Sequence, residues 1–226
     1  MNIYLDIETI PEQPENEAKA EIAKIILAPK AMKKAETIKA WHDGEGKYAG
    51  EKDKAIDDSY RKTSFDGGRG QVCSIAWAFG DEPVKVAYQD ESTTETDVLK
   101  AFFAAVLARP DKTSSPFFIG HYLAGFDLKF LFHRSIVLGI NPEFKLPFDG
   151  RHNLHYFCTM MAWCGYGNRI SQDNLCKALG LSGKGDMDGS MVWDAFKAGE
   201  YKEISDYNIS DVETVRSIYK KLNYIK

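Results

Sequence analysis

The chain has 226 residues, of which 44% are hydrophobic and 27% charged, and its formal net charge is −4. This composition supports one hydrophobic core. It argues against long disorder, against two full-sized domains and against a protein that wraps a long duplex by neutralising its phosphates. No apolar run is long enough to span a membrane, and the first residues lack the basic and apolar regions of a signal peptide. The sequence therefore predicts a soluble, cytoplasmic protein without a membrane partner.

The first predicted element is a strand over residues 2–8 (NIYLDIE). Because side chains alternate between the two faces of a strand, its three aliphatic residues share one face, whereas Asp6 and Glu8 share the other. Two like charges this close repel each other unless a cation lies between them. The strand is thus predicted to have one buried face and one acidic face.

Residues 11–70 differ in composition from the rest of the chain, because 24 of these 60 residues are charged, twelve acidic and twelve basic. Ala, Lys and Glu favour helix here, and three prolines interrupt it. We expect a polar insertion of two or three short helices that ends at the turn Asp66-Gly67-Gly68. Two roles remain open for it, a flap or clamp on a substrate or partner and a plain solvated elaboration.

The elements that follow alternate between strands and helices. Strands are predicted over residues 71–79, 83–88 and 116–120, and helices over residues 94–108, 126–138, 171–180 and 203–222. Ser92 or Thr93 is the predicted cap of the first of these helices. This order predicts an α/β fold with a mixed sheet. The four cysteines form no CxxC pair and are expected to be reduced.

The last predicted helix carries a carboxylate in its apolar stripe. Asp211 lies between hydrophobic residues spaced three and four apart, on the face that packs inward. Burying an unpaired carboxylate costs several kcal/mol, so Asp211 requires a cation, either a basic side chain or a metal ion. Tyr207 lies one turn earlier on the same face. It could orient or deprotonate a water beside such a metal, or it could be a core tyrosine with a satisfied hydroxyl.

Asp127 opens an otherwise apolar helix, a position that acidic residues also favour for their interaction with the helix dipole. Four carboxylates at one point, Asp6, Glu8, Asp127 and Asp211, would bind two hard divalent ions such as Mg²⁺. Two such ions about 3.5–4 Å apart can activate a water and stabilise the leaving oxygen of a phosphodiester. They would also attract phosphate to a chain with a net negative charge.

Three segments carry a resemblance to a known family: residues 4–9 (YLDIET), 120–127 (GHYLAGFD) and 207–211 (YNISD). Together they resemble the DEDD (DnaQ-like) superfamily of 3′–5′ exonucleases, in its tyrosine form (DEDDy). The chain is most similar to the subgroup related to the proofreading domain of family-B DNA polymerases, as found in bacteria and phages. Residues 61–65 and 183–190 also resemble this subgroup.

This resemblance implies one RNase H-like domain over residues 1–226, with a mixed five-stranded sheet flanked by helices and the insertion after the first strand. It also implies the roles of the acidic residues. Asp6, Glu8 and Asp211 would hold the first Mg²⁺, for which Mn²⁺ could substitute. Asp6 would bridge to the second ion, which Asp127 would bind directly or through water. Tyr207 would position the attacking water.

The resemblance further implies substrate contacts. Thr9 and Ile10 would lie near the terminal nucleotide, with Phe126. Tyr122 stands where the family often has Asn, so it could stack on a base or belong to the core. The expected reaction releases nucleoside 5′-monophosphates from the 3′ end of single-stranded DNA, in replication or repair, with a polymerase or another replication protein as partner, in a bacterium or a phage-infected host. The alternatives are a 3′–5′ exoribonuclease and a catalytically silent module that binds a polymerase or a nucleic-acid end.

Overall fold

The secondary structure follows the predicted order over most of the chain. The computed structural model of the protein describes residues 1–112, 114–148, 155–183, 185 and 187–225. In these residues the strands are β1 (Asn2–Ile10), β2 (Gln71–Phe79), β3 (Lys85–Tyr88), β4 (Phe117–Gly120) and β5 (Tyr156–Cys158). The α-helices are α1 (Glu15–Ile25), α2 (Ala35–Asp43), α3 (Glu51–Arg61), α4 (Glu95–Leu107), α5 (Asp127–Val137), α6 (Thr159–Cys164), α7 (Gln172–Leu179), α8 (Val192–Ala198) and α9 (Tyr201–Leu222).

The strands form one mixed sheet in the order β3-β2-β1-β4-β5. β4 runs parallel to both β1 and β5, whereas β2 and β3 are antiparallel. Tyr4 of β1 lies opposite Ile119 of β4, so the carboxyl ends of these two strands lie at the same edge of the sheet. The acidic end of β1 and the segment after Gly120 therefore meet there. The predicted mixed sheet flanked by helices is confirmed.

Helices cover both faces of β1. Its aliphatic residues Ile3, Leu5 and Ile7 belong to the larger core, which also contains buried side chains of α4 and α5. Tyr4 points the other way, into a smaller core with Val212 and Val215 of α9. The predicted alternation along β1 is thus confirmed. On the face predicted to be acidic, Tyr4 comes first and packs into this smaller core. Asp6 and Glu8 follow it towards the carboxyl end of the strand.

The start of α4 differs from the prediction. The cap is Thr94 rather than Ser92 or Thr93, and its side chain and that of Asp97 hydrogen-bond each other's backbone N–H in a capping box. Glu95 instead turns inward and forms a buried ion pair with Arg134 of α5, with Nη2 and Oε2 2.7 Å apart. Its Oε1 also accepts a hydrogen bond from the N–H of Val72. One carboxylate thereby joins α4, α5 and β2.

Three short elements carry no sequence prediction. β5 has three residues, α6 has six and α8 has seven, so each is too short to show a hydrophobic period. The four cysteines are free thiols, as predicted.

The chain divides into two compact units, Met1–Thr9 with Val72–Lys226, and Ile10–Gln71. The second unit contains α1, α2 and α3, which confirms the prediction of two or three short helices. Its buried hydrophobic side chains are few: Ile10, Ala18, Ile22, Trp41 and Tyr60. Between α1 and α3, Lys19 pairs with Asp57 at 2.6 Å. That the whole chain is one domain carrying an insertion stays a prediction.

Candidate metal centre

β1 delivers two of the predicted acidic residues to the carboxyl edge of the sheet. Asp6 is half-buried and Glu8 is buried, two residues further along the same face. An extended backbone places side chains two residues apart on one face, so no loop is needed to bring them together. The strand is central in the sheet, and this fixes its position from both sides.

The third acidic residue, Asp211, comes from α9, which packs on the face of the sheet that carries Tyr4. Val212 and Val215 pack the helix against the sheet, and this contact turns Asp211 inward, where it is 2% exposed. Tyr207 lies one turn earlier and is also buried. The predicted stripe of α9 is therefore confirmed, with its carboxylate and its phenol on the buried face.

The structure brings Asp6, Glu8 and Asp211 into one cluster. Each offers a carboxylate oxygen, and these three oxygens all lie within 4.8 Å of one another. Three carboxylates this close, two of them buried, repel strongly without a counter-charge. Carboxylate oxygens are the ligands preferred by hard divalent cations, and the spacing lets one ion contact all three. The donor set therefore fits Mg²⁺ or Mn²⁺.

Neutral polar groups hold two of these carboxylates in place. Asn208 Nδ2 donates to Asp6 Oδ2 at 2.7 Å, and Ser74 Oγ donates to Asn208 Oδ1 at 2.8 Å. Gln172 Nε2 donates to Oδ1 and to the backbone carbonyl of Asp211, both at 3.2 Å. A neutral donor fixes the orientation of a carboxylate without cancelling its charge. Asn208 and Gln172 therefore orient Asp6 and Asp211 without neutralising them.

Asp127 lies beside the cluster as the first residue of α5. It is 3% exposed, and its Oδ1 accepts a hydrogen bond from the N–H of Ile7, which lies between Asp6 and Glu8 in β1. Burial raises the pKa of Asp127 to about 7, and the Asp211 carboxylate adds to this rise. The cluster that offers oxygens within 4.8 Å consists of the other three acids, so a direct bond from Asp127 to a metal stays a prediction.

The hydroxyl of Tyr207 faces the carboxylates. Burial raises the pKa of Tyr207 far above its ordinary value, and the charges of Glu8, Asp211 and Asp6 raise it further, together with a hydrogen bond to Asp211. The phenol is therefore protonated at neutral pH and acts as a hydrogen-bond donor. A protonated phenol in this place can donate a hydrogen bond that orients a water beside the carboxylates.

The predicted substrate residues lie at the end of β1 and in the segment that joins β4 to α5. Thr9 and Ile10 end β1, where Thr9 is half-buried and Ile10 is buried. Phe126 directly precedes α5 and packs on Phe130, with ring centroids 5.4 Å apart. Tyr122 follows β4 with a left-handed backbone, at φ 59°. Contacts of these residues with a nucleotide stay predictions.

Three polar residues of the centre carry no sequence prediction. The position of Asn208 could have been noticed in the sequence, because a polar residue three positions before Asp211 lies at the border of the inward-facing stripe of α9. Ser74 lies in a mostly apolar strand, and Gln172 lies in the first turn of a helix, where polar residues are common. Neither position distinguishes a ligand-holding residue from an ordinary one. Residues 184 and 186, within the stretch 183–190 that resembles the exonuclease subgroup, lie outside the described residues.

A protein-family model matches residues 69–226, and its description is "Predicted 3'-5' exonuclease related to the exonuclease domain of PolB". The chain belongs to this family. The match includes Asp127, Tyr207 and Asp211. It begins after the first motif, so the assignment of Asp6 and Glu8 rests on their geometry.

Among solved structures, the family B DNA polymerase from the hyperthermophilic archaeon Pyrobaculum calidifontis is similar, with a TM-score of 0.60 and 13% identity. The likeness covers 98% of this chain and 24% of the polymerase chain, so this member of the family spans about a quarter of that polymerase. It shows the RNase H-like exonuclease fold that the sequence predicted. No sequence among curated proteins matches the chain. In the described part of the chain, no helix combines the length and hydrophobicity that a membrane crossing requires.

Proposed function

We propose that the protein is a two-metal-ion-dependent 3′–5′ exonuclease that acts on single-stranded DNA ends. The observation that carries this proposal is the cluster of Asp6, Glu8 and Asp211, with three carboxylate oxygens within 4.8 Å of one another between β1 and α9. The family match supports the reaction class. The substrate, the metal and the product extend the proposal beyond that match.

Each residue has a stated role in this proposal. Asp6, Glu8 and Asp211 would hold the first divalent ion, and Asp6 and Asp127 would hold the second, Asp127 directly or through water. When bound, the ions would supply a nucleophilic water at neutral pH and stabilise the charge on the leaving oxygen. Tyr207, protonated, donates a hydrogen bond that orients the attacking water towards the phosphodiester. The products are nucleoside 5′-monophosphates.

The direct test uses oligonucleotides of one sequence, as DNA and as RNA, labelled at the 5′ end and incubated with Mg²⁺, Mn²⁺ or EDTA. Digestion from the 3′ end produces a ladder of shortening labelled products, whereas digestion from the 5′ end releases the label at once as a mononucleotide. We expect a ladder on DNA that requires the metal. A ladder on RNA alone would assign the chain to exoribonucleases instead. No shortening of either polymer, with binding retained, would favour a silent binding module.

Two variants of α9 provide a matched pair for the site assignment. Asp211→Asn removes a charge from the cluster, and we expect it to abolish the ladder. Asp206→Asn removes the same charge from the same helix at an exposed residue that pairs with Lys202, and we expect it to leave the rate unchanged. Metal-dependent shortening that survives Asp211→Asn would contradict the site.

The partner proposed for this activity is a polymerase. A proofreading role in trans requires that a mismatched primer end, which frays into a single strand, is shortened faster than a matched end. Comparing both ends in one duplex, with a polymerase that lacks its own exonuclease, measures this preference. Equal rates on both ends would argue for general processing of DNA ends.

A further inference from the structure

A tyrosine and an arginine stack on each other beside the metal centre. The guanidinium of Arg169 lies over the ring of Tyr122, with Cζ 4.8 Å from the ring centroid. Arg169 Nη2 also donates a hydrogen bond to the Tyr122 hydroxyl at 2.8 Å. Two contacts to one aromatic side chain restrict an arginine that is otherwise exposed. Its guanidinium is therefore held in one place before any ligand arrives.

The tyrosine is itself fixed by the backbone around it. A side-chain carbon added at Gly125 would lie 2.3 Å from the nearest atom of the Tyr122 ring, so this ring rests directly on the glycine. Gly125 N–H donates to the Tyr122 carbonyl at 3.0 Å, closing the turn between β4 and α5. Tyr122 is thus packed between Gly125 and Arg169. This packing favours a supporting role for Tyr122 over stacking on a base.

Arg169 lines two open cavities. One has a volume of about 460 Å³ and includes Ser171 and Asn174 in its lining. The other has a volume of about 570 Å³ and includes the aromatic residue Tyr166, which is 78% exposed. Arg169 and Tyr122 line both cavities. The cation can therefore meet a ligand that passes from one cavity to the other.

The segment that carries Arg169 is anchored by two hydrogen bonds, one to the acidic cluster and one to the residue that follows β4. Arg169 precedes Gln172 by three residues, and Gln172 hydrogen-bonds Asp211, so the backbones of Arg169 and Gln172 are separated by at most about 11 Å of extended chain. Ile170 is fixed as well, since its carbonyl lies 2.9 Å from Nε2 of His121, directly beyond β4. The cation thus lies within a few nucleotides of the metal centre.

The charge of Arg169 is also available to a ligand. Its polar contact is a neutral phenol, and no carboxylate of the described residues forms a salt bridge with it. By contrast, Arg134 and Arg69 are paired with Glu95 and Glu12. Single-stranded nucleic acids are bound by cations along the backbone together with aromatic rings that stack on bases. Arg169 and Tyr166 offer both features on one cavity.

We propose that Arg169, held by Tyr122, binds a backbone phosphate of single-stranded nucleic acid, and that Tyr166 stacks on a base of the same strand. This subsite rests on the proposed exonuclease function and specifies how the strand is bound next to the metal centre. Phosphate and stacking contacts are insensitive to base sequence, as an enzyme that removes every nucleotide in turn requires.

The test measures the affinity for a fluorescent single-stranded oligonucleotide over a series of salt concentrations, in an Asp211→Asn background that prevents hydrolysis. Each phosphate contact contributes about 0.7 to the slope of log K against log salt for single strands. We expect Arg169→Ala to lower this slope by about 0.7 and to weaken binding about tenfold at low salt. Lys100→Ala, which removes the same charge from the exposed face of α4, should change neither quantity.

Two further variants separate the parts of the subsite. Tyr166→Ala should weaken binding roughly 5- to 100-fold without a change of slope, because stacking releases no counterions. Tyr122→Phe keeps the ring and removes the hydroxyl that accepts from Arg169, so we expect a smaller loss of affinity than with Arg169→Ala. A slope for Arg169→Ala equal to that for Lys100→Ala would overturn the phosphate contact. Unchanged affinity for Tyr166→Ala would overturn the stacking contact.

Failure of the subsite and failure of the proposed function give different results. If the unmodified chain shortens oligonucleotides and Arg169→Ala alters neither the slope nor KM, the subsite is wrong and the exonuclease stands. If the unmodified chain shortens no oligonucleotide but Arg169→Ala still lowers the slope, the chain binds single strands without cleaving them.

Discussion

The two compact units of the chain use charge in opposite ways. Residues 11–70, nearly the whole second unit, carry twelve acidic and twelve basic residues, so the net charge of −4 belongs to the rest of the chain. In the first unit, Asp6, Glu8, Asp127 and Asp211 gather on a large apolar core, three of them buried. The second unit has few buried hydrophobic side chains and carries its ion pairs, such as Lys19–Asp57, where solvent reaches them.

This difference indicates where each unit can tolerate change. Buried charges are costly, and a protein keeps them where a rigid core holds them for a purpose. Each exposed ion pair contributes little to the free energy of unfolding, so residues in such pairs can be substituted at little cost. The family match begins at residue 69, so it omits nearly all of the second unit together with β1 of the first. A clamp on the substrate and a solvated elaboration both stay open as roles for the second unit.

The largest expected effect on stability concerns the buried ion pair of the first unit. Glu95→Gln removes the charge that pairs with Arg134 in a site that is about 5% exposed, so we expect a loss of about 3–5 kcal/mol in the free energy of unfolding. Urea denaturation followed by circular dichroism measures it. Asp43→Asn, which breaks the exposed pair with Lys39 in the second unit, is the matched control and should cause no measurable loss. Equal losses for the two variants would contradict the comparison of the units.

The second prediction concerns Asp127 and pH. Because burial raises the folded-state pKa of Asp127 from its ordinary value of 3.8 to about 7, the folded chain holds this proton where the unfolded chain has lost it. In the absence of metal, the stability that depends on this proton is present below about pH 4. It then falls as pH rises towards 7, by at most on the order of 4 kcal/mol.

Denaturation in EDTA at pH 4.5, 6 and 7.5 tests this dependence on Asp127. Asp127→Asn cannot ionise, so its stability should decline less between pH 4.5 and 7.5 than that of the unmodified chain. Added Mg²⁺ should reduce the decline in the unmodified chain, since a cation favours the ionised carboxyl. The same decline in both chains would show that Asp127 is not its source.

The third prediction concerns the neutral donors of the metal centre. Asn208→Ala removes the hydrogen bond that fixes Asp6, and residues that orient metal ligands typically contribute about 10- to 100-fold in metal affinity or activity. We expect a loss in this range in Mn²⁺ affinity, measured by titration calorimetry, and a similar loss of exonuclease rate. Asn223→Ala, at the end of the same helix, should change neither. Unaltered Mn²⁺ affinity in Asn208→Ala would show that the amide does not position Asp6.

The sequence predicts the parts of this site that break a hydrophobic pattern. Asp211 interrupts the stripe of α9, and Asp6 and Glu8 alternate with aliphatic residues in β1, so periodicity alone brings them to notice. Their meeting point follows from the packing of α9 against the sheet through Val212 and Val215, which the order of motifs implies only through the family resemblance. Gln172, by contrast, reaches Asp211 across 39 residues of chain, and no local pattern encodes such a contact. Glu95 is similar, since its partner Arg134 lies on another helix.

The smallest expected effect belongs to the second unit. Asp57 pairs with Lys19 of α1 and with Arg61 of its own helix, and the hydrogen bond from Lys19 is the main cause that lowers the pKa of Asp57. Asp57 is about a third exposed, so we expect Asp57→Asn to reduce stability by no more than about 1 kcal/mol.

Because the folded-state pKa of Asp57 is lowered, this contribution is present at neutral pH and is lost as pH falls through that pKa. It should also shrink in high salt, since solvent-exposed charges are screened. Hydrogen exchange of the α1 and α3 amides, with Asp58→Asn as a control on the exposed side of α3, measures the local effect. A loss as large as that of Glu95→Gln would mean that the second unit depends on its charges as strongly as the first, and the contrast between the units would fail.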